Sequence, residues 1–183
     1  LIFGISILFK SERTNLDIIN DGIIAGELQQ SEDIMFVTDE SSKSYNVNID
    51  IKLDKDGNAE ITQKNNISEK LDIKTKAKNL NSLIGPYGKR TTLTLSDGTK
   101  IWVNSGSVIE FPSQFSGDRR DVFLSSGEIY IEVAENIEKP FYLNTSEYKI
   151  RVYGTAFNVS SYNNSKSTVA LVEGEVSLIK QGE

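Results

Sequence analysis

The chain has 183 residues, a net charge of −6, no Cys and no His. The missing residue types exclude a thiolate nucleophile, a Ser-His-Asp triad and the usual N/S zinc sites, and they remove the usual ligands of haem and iron–sulfur clusters. An acidic chain with no basic cluster also lacks the Lys/Arg–phosphate contacts that carry nucleic-acid affinity, so no nucleic-acid partner is expected.

Ile, Leu, Val and Phe supply 54 of the 183 residues. That is enough for a real core, in one domain or two small packed ones. Ile (21), Val (11) and Thr (11) far outnumber Ala (6), a balance that favours pleated strands over helices.

The chain opens at Leu1 rather than Met, so a fragment of a longer protein is expected. Residues 1–9 are almost wholly apolar and stop at Lys10. A bilayer span takes about 20 such residues, so the run reads either as the last turns of a transmembrane helix or as a buried strand or helix. It lacks the charged start and small-residue cleavage site of a signal peptide. Short helical patterns follow at residues 15–25 and 79–84.

Tyr45, Val47, Ile49, Ile51 and Leu53 alternate with polar residues, which predicts a half-buried strand. Asp54-Lys55-Asp56-Gly57-Asn58 reads as a hairpin turn and residues 59–62 as the return strand. Leu71 and Ile73 begin another strand, and a soft boundary is expected within residues 64–90. Leu93 and Leu95, then Asp97-Gly98, then Ile101 and Val103 predict a second hairpin. Residues 122–124 lead through a turn at Ser125-Ser126-Gly127 into Ile129, Ile131 and Val133. Apolar pairs at 141/143, 150/152, 157/159, 169/171 and 176/178 continue the rhythm. Pro86, Pro112 and Pro140 fall in the gaps, as ladder chemistry requires. The fold class expected is all-β, an antiparallel sandwich or roll of many short strands and hairpins with little helix.

No motif carries catalysis. A calcium loop opening at Asp54 would want Gly at residue 59 and Glu at 65, where Ala59 and Asn65 stand, so a plain turn is the better reading. Glu128, Tyr130 and Glu132 share one strand face, but carboxylates four residues apart on a strand lie about 13 Å apart. Glycoside hydrolysis needs about 5–9.5 Å, so a solvated outer face is expected. The same holds for Glu173 and Glu175 around Gly174. Residues 85–90 are Gly-rich and basic but lack the spacing of a phosphate loop, and read as a turn. Arg119-Arg120 sits beside Asp118 and Asp121, a locally neutralised polar loop. The aromatics are expected in the core or in cross-strand pairs. No catalytic, cofactor-binding or metal-binding residue is assigned, no enzyme activity is expected, and no partner-contact residue can be named.

One set of stretches resembles a known family. These are Leu95-Ser96-Asp97-Gly98-Thr99-Lys100-Ile101-Trp102-Val103-Asn104-Ser105-Gly106-Ser107, Gly127-Glu128-Ile129-Tyr130-Ile131-Glu132-Val133 and Lys139-Pro140-Phe141. Val152-Tyr153-Gly154-Thr155-Ala156-Phe157-Asn158-Val159 and Leu171-Val172-Glu173-Gly174-Glu175-Val176 follow. In this order and spacing the chain from about residue 75 resembles FecR-like anti-sigma regulators, departing at Ser96, where the family usually has Pro. The pieces are structural: Asp97-Gly98 makes a positive-φ turn, Gly154 allows a close approach or a bulge before Phe157, and Gly174 lets a strand bend.

The resemblance implies the periplasmic sensor of an inner-membrane, single-pass anti-sigma factor. It would relay a signal from the signalling domain of an outer-membrane TonB-dependent transducer to an extracytoplasmic-function sigma factor, which a cytoplasmic segment absent here would hold. Sigma-factor release commonly follows through regulated proteolysis. Under it, residues 1–10 are the end of the membrane helix, 11–74 are upstream variable strands and 75–183 are the FecR-like domain, with a smaller subdomain expected beyond Glu183. The alternative is an extracytoplasmic carbohydrate-binding β-sandwich. Aromatics on one exposed face would favour that reading; aromatics buried between sheets would favour the first.

Overall fold

The computed structural model describes residues 32–64, 66–73, 80–163 and 165–180, and among them every helix-or-strand element is a strand. The first five are β1 (Ile34–Val37), β2 (Ser42–Tyr45), β3 (Ile49–Leu53), β4 (Asn58–Gln63) and β5 (Ser68–Asp72). Next come β6 (Asn81–Gly85), β7 (Thr91–Thr94), β8 (Lys100–Val103), β9 (Ser107–Phe111) and β10 (Arg120–Glu132). The chain continues through β11 (Phe141–Asn144), β12 (Tyr148–Val152), β13 (Ala156–Ser161), β14 (Thr168–Glu173) and β15 (Ser177–Lys180). The class is all-β, as expected. Two pairs, β3–β7 and β10–β11, are parallel in an otherwise antiparallel arrangement. The apolar stretch at residues 1–9 and the helical pattern at 15–25 lie outside the described residues. Among the described residues no helix is long and apolar enough to cross a membrane.

β10 joins the two halves of the sheet. Its first half pairs with β9 and β11, and its second half with β8 and β13. Along it the buried residues are Arg120, Val122, Leu124 and Ser126, then Gly127, Ile129 and Ile131. The inward parity therefore switches from even to odd at Ser126/Gly127, beside a register shift against β9. An extra residue on one strand does this, exchanging its two faces beyond the bulge. The expected turn at residues 125–127 is therefore a bulge inside one continuous strand of 13 residues. Gly127 has φ +117°, and a Cβ there would stand 2.4 Å from Ser107 Cα, so the position admits only glycine without rearrangement.

Both halves of the curled sheet point apolar side chains into one cluster. Phe36, Leu83, Phe111, Val122 and Phe141 come from one half, and Ile51, Leu93, Ile101, Ile131 and Phe157 from the other. Each such side chain, fully buried, contributes about 1.5–3 kcal/mol. Met35, Val37, Ile84 and Val108 form a second small cluster. β6 is thus buried all along its length, between β1 and β9. That corrects the helical expectation for residues 79–84: a segment with apolar partners on both faces shows no period-2 alternation, and its backbone groups are satisfied by two neighbouring strands. Leu71 likewise sits near the end of a strand rather than its beginning, since β5 runs Ser68–Asp72.

Candidate functional site

Strand register sets one continuous row across the outer face of the β3–β4–β5–β7–β8–β10–β13 half. Thr62 lies opposite Asp50, Asp50 opposite Thr92, Thr92 opposite Trp102, Trp102 opposite Tyr130, and Tyr130 opposite Asn158. Directly opposed residues point to the same face. The parallel row one residue along, Ile61, Ile51, Leu93, Ile101, Ile131 and Phe157, is buried. The outer row is short and polar except at its centre. There the rings of Trp102 and Tyr130 lie 5.3 Å apart at an interplanar angle of 43°, with Trp102 38% exposed.

The pair lies in a groove of about 620 Å³ bordered by Asn48, Asp50, Arg90, Asn104, Glu128 and Asn158. The Arg90 backbone N–H donates to Asn48 Oδ1 at 3.2 Å, and Asn158 Nδ2 donates to Glu128 Oε1 at 3.2 Å. Tyr130 donates its hydroxyl to Glu132 Oε1 at 3.2 Å. Desolvation first, then that bond and the charges of Glu132 and Glu173, push the Tyr130 phenol above its ordinary pKa.

The expected outer face holding Glu128, Tyr130 and Glu132 is therefore present, with each carboxylate tied to a different neighbour. At Asp54, Oδ1 accepts from the backbone N–H of Asp56 (2.8 Å) and Asn58 (2.9 Å), and Oδ2 accepts from Asn58 Nδ2 (2.8 Å). Its oxygens close their own turn, as the hairpin reading requires. Residues 85–90 also form a turn, closed by Lys89 N–H donating to Pro86 O at 3.4 Å. Gly154 does meet a neighbour closely: a Cβ there would stand 2.8 Å from Glu135 Cα. Among the described residues no group of three His, Cys, Asp or Glu could hold a metal ion.

The Arg119-Arg120 loop needs correction. Arg119 pairs with Asp121 at 2.6 Å, but Arg120 opens β10 with its side chain 2% exposed and pairs with the distant Asp97 at 2.7 Å. The guanidinium also donates to Lys139 O (2.9 Å) and Ala134 O (2.8 Å), and its carbon lies 5.5 Å from the Phe141 ring centre. This is a fold-holding cluster around the β7–β8 turn. Nothing local in the sequence signals it, because Asp97 lies 23 residues away.

Sequence reasoning also missed the Trp102–Tyr130 pair as a unit. Alternation marks both residues as outward, but β9 intervenes in the chain between their strands, so only the sheet order brings them together.

The edges differ in character. β2 and β5 meet through side chains, Lys43 pairing with Glu69 and the Tyr45 hydroxyl donating to Glu69 Oε1 at 2.6 Å, and β5 also carries Lys70 and Asp72. β14 pairs only with β13 among the described residues, and exposes Leu171 (48%) and Val172 (65%).

A family model described as FecR protein matches residues 81–177. No curated protein matched the chain. Two crystal structures of candidate anti-sigma factors from Parabacteroides distasonis ATCC 8503 are similar to it. The first, at 2.50 Å resolution, is 30% identical with a TM-score of 0.55, over 57% of this chain and 49% of that one. The second, at 1.65 Å, is 29% identical with a TM-score of 0.53, over 56% and 48%. The matched part thus spans about half the length of those proteins.

Proposed function

The chain belongs to the FecR protein family, and from that premise we propose that it is the sensor portion of an anti-sigma factor. In this reading it lies in the periplasm, tied to the inner membrane by a single helix. It receives a signal from the signalling domain of an outer-membrane TonB-dependent transducer and passes it to an extracytoplasmic-function sigma factor bound by a cytoplasmic segment. The observation that carries the reading is the family match over residues 81–177, on a fold similar to two candidate anti-sigma factors.

The physical character of the chain supports a module that works by binding rather than by catalysis. The two carboxylates weighed as a hydrolytic pair bond to different neighbours, Glu128 to Asn158 and Glu132 to Tyr130. β14 offers an exposed, apolar strand edge of the kind to which a partner adds a strand. A partner bound there would favour one of two states of the sensor, and the difference in its affinity for the two sets how far the balance moves.

The test is transcription from a promoter dependent on the sigma factor, in cells carrying the full-length protein with or without residues 81–177. The proposal expects the deletion to abolish the response to the inducing signal. An unchanged induction ratio with the shortened protein present at normal levels would refute it.

A further inference from the structure

We propose that the groove around Trp102 and Tyr130 binds a neutral oligosaccharide, one pyranose ring stacking on the Trp102 indole. This goes beyond the signalling role and stands on different observations. The outer face is built of Thr, Asn, Ser and charged side chains, with these two rings side by side at its centre. A pyranose presents an apolar C–H face with hydroxyls around its edge. An aromatic ring with a polar rim matches that shape, because the negative ring face attracts the weakly positive hydrogens.

The rim supplies the hydroxyl partners. Asn48, Asn104 and Asn158 border the groove, and an amide both donates and accepts, as a hydroxyl does. Asn48 and Asn158 are already oriented by the Arg90 N–H and by Glu128, which lowers the entropy lost on binding. Charge argues for a neutral ligand. The lining carries two carboxylates, Asp50 and Glu128, and two cations, Lys64 and Arg90. The charges of Glu132 and Glu173 also reach Tyr130, so no positive field is present to select a phosphate or a polyanion.

The sheet itself argues against an extended peptide. β3, β7, β8, β10 and β13, which underlie the groove, are each paired on both sides. Their backbone groups are spent within the sheet, so a peptide lying across this face would find no free ladder to join. A groove of about 620 Å³ falls in the range of roughly 300–1,000 Å³ usual for small-ligand sites.

Trp102 is the sole tryptophan of the chain, so its fluorescence reports on the site directly. The experiment titrates the full 183-residue chain with maltohexaose, cellohexaose and mannohexaose, with an oligogalacturonate as the charged control. The expected result is a saturable emission change and protection from acrylamide with at least one neutral sugar, and weaker binding of the oligogalacturonate. By calorimetry, Trp102→Ala and the rim variant Asn158→Ala should each weaken that sugar at least about tenfold, or ~1.4 kcal/mol, with each variant still unfolding in one cooperative transition. Trp102→Phe should retain most of the affinity. Unsaturable responses to all three neutral sugars would overturn the assignment, and so would tighter binding of the oligogalacturonate. If the sugars fail while Trp102→Ala abolishes capture of a transducer signalling domain, the face is a protein interface and the saccharide assignment falls.

Discussion

Arg120 Nη1 donates to Asp97 Oδ2 at 2.7 Å across the turn that joins β7 to β8. Asp97 also accepts from the Thr99 backbone N–H at 3.0 Å and from the Thr99 hydroxyl at 2.8 Å. The same hydroxyl accepts from the Ala134 N–H at 3.1 Å. One carboxylate thereby ties a hairpin tip to the start of β10 and to the loop that leaves it.

Removing Asp97 should leave a buried cation without its partner. Asp97→Ala is expected to cost about 3–5 kcal/mol in urea unfolding, the usual penalty for an orphaned buried charge. Asp97→Ala combined with Arg120→Met should cost less than Asp97→Ala alone, because no unpaired charge remains. A double variant no more stable than Asp97→Ala alone would contradict this account.

The two glycines at φ +117° and +84° make a controlled comparison. Gly88→Ala meets nothing within 4 Å and should cost only the left-handed backbone penalty of about 1–2 kcal/mol. Gly127→Ala adds overlap with the buried Ser107 and should cost about 2–5 kcal/mol. Equal melting temperatures for the two variants would show that the bulge does not need glycine.

Two carboxylates should move stability in opposite directions with pH. Burial raises the Glu110 pKa above 4.5, so the folded state holds the proton more tightly than the unfolded chain. Its stabilising contribution is full below 4.5 and is lost as pH rises through the folded value. Glu110→Gln should therefore gain stability relative to wild type as pH rises through that window. Glu69 is lowered, chiefly by its bond from Lys43 and then by that from Tyr45. Its contribution is present above 4.5 and lost as pH falls through the folded value. Glu69→Gln should be the less stable protein at neutral pH, by no more than about 1 kcal/mol for so exposed a pair, with the gap closing in acid. Thermal melts from pH 3 to 8 check both signs.

Val172 is the extra residue of the β14 bulge opposite Ala156/Phe157, and it is 65% exposed. Val172→Lys should leave stability within about 0.5 kcal/mol, as for other surface changes. Under strand addition at this edge the same variant should lose the partner in a pull-down. Full retention of the partner would move the contact away from β14.

The strand at Ile49, Ile51 and Leu53 was legible because they alternate with exposed neighbours, and the turns because Gly57 and Gly98 take positive φ. The expected alternation ran on too far, through Val47 to Tyr45, which ends the separate strand β2. β6 was not legible, since residues buried on both faces carry no alternation. The bulge in β10 hid for a related reason. A parity switch at Ser126/Gly127 looks, in one dimension, the same as a turn between two strands. The Arg120–Asp97 and Trp102–Tyr130 pairs depend on sheet order, which local patterning does not encode. The glycine, turn and core positions that carried the family resemblance are local features, so they were readable from the start.

The most direct test of the sensor reading is affinity capture from outer-membrane extract of the source cell, with this chain as bait. The account predicts recovery of a TonB-dependent transducer, and its loss when the transducer's N-terminal signalling domain is deleted. Recovery that persists without that domain, or no transducer recovered by a folded bait extended to the full periplasmic region, would contradict it.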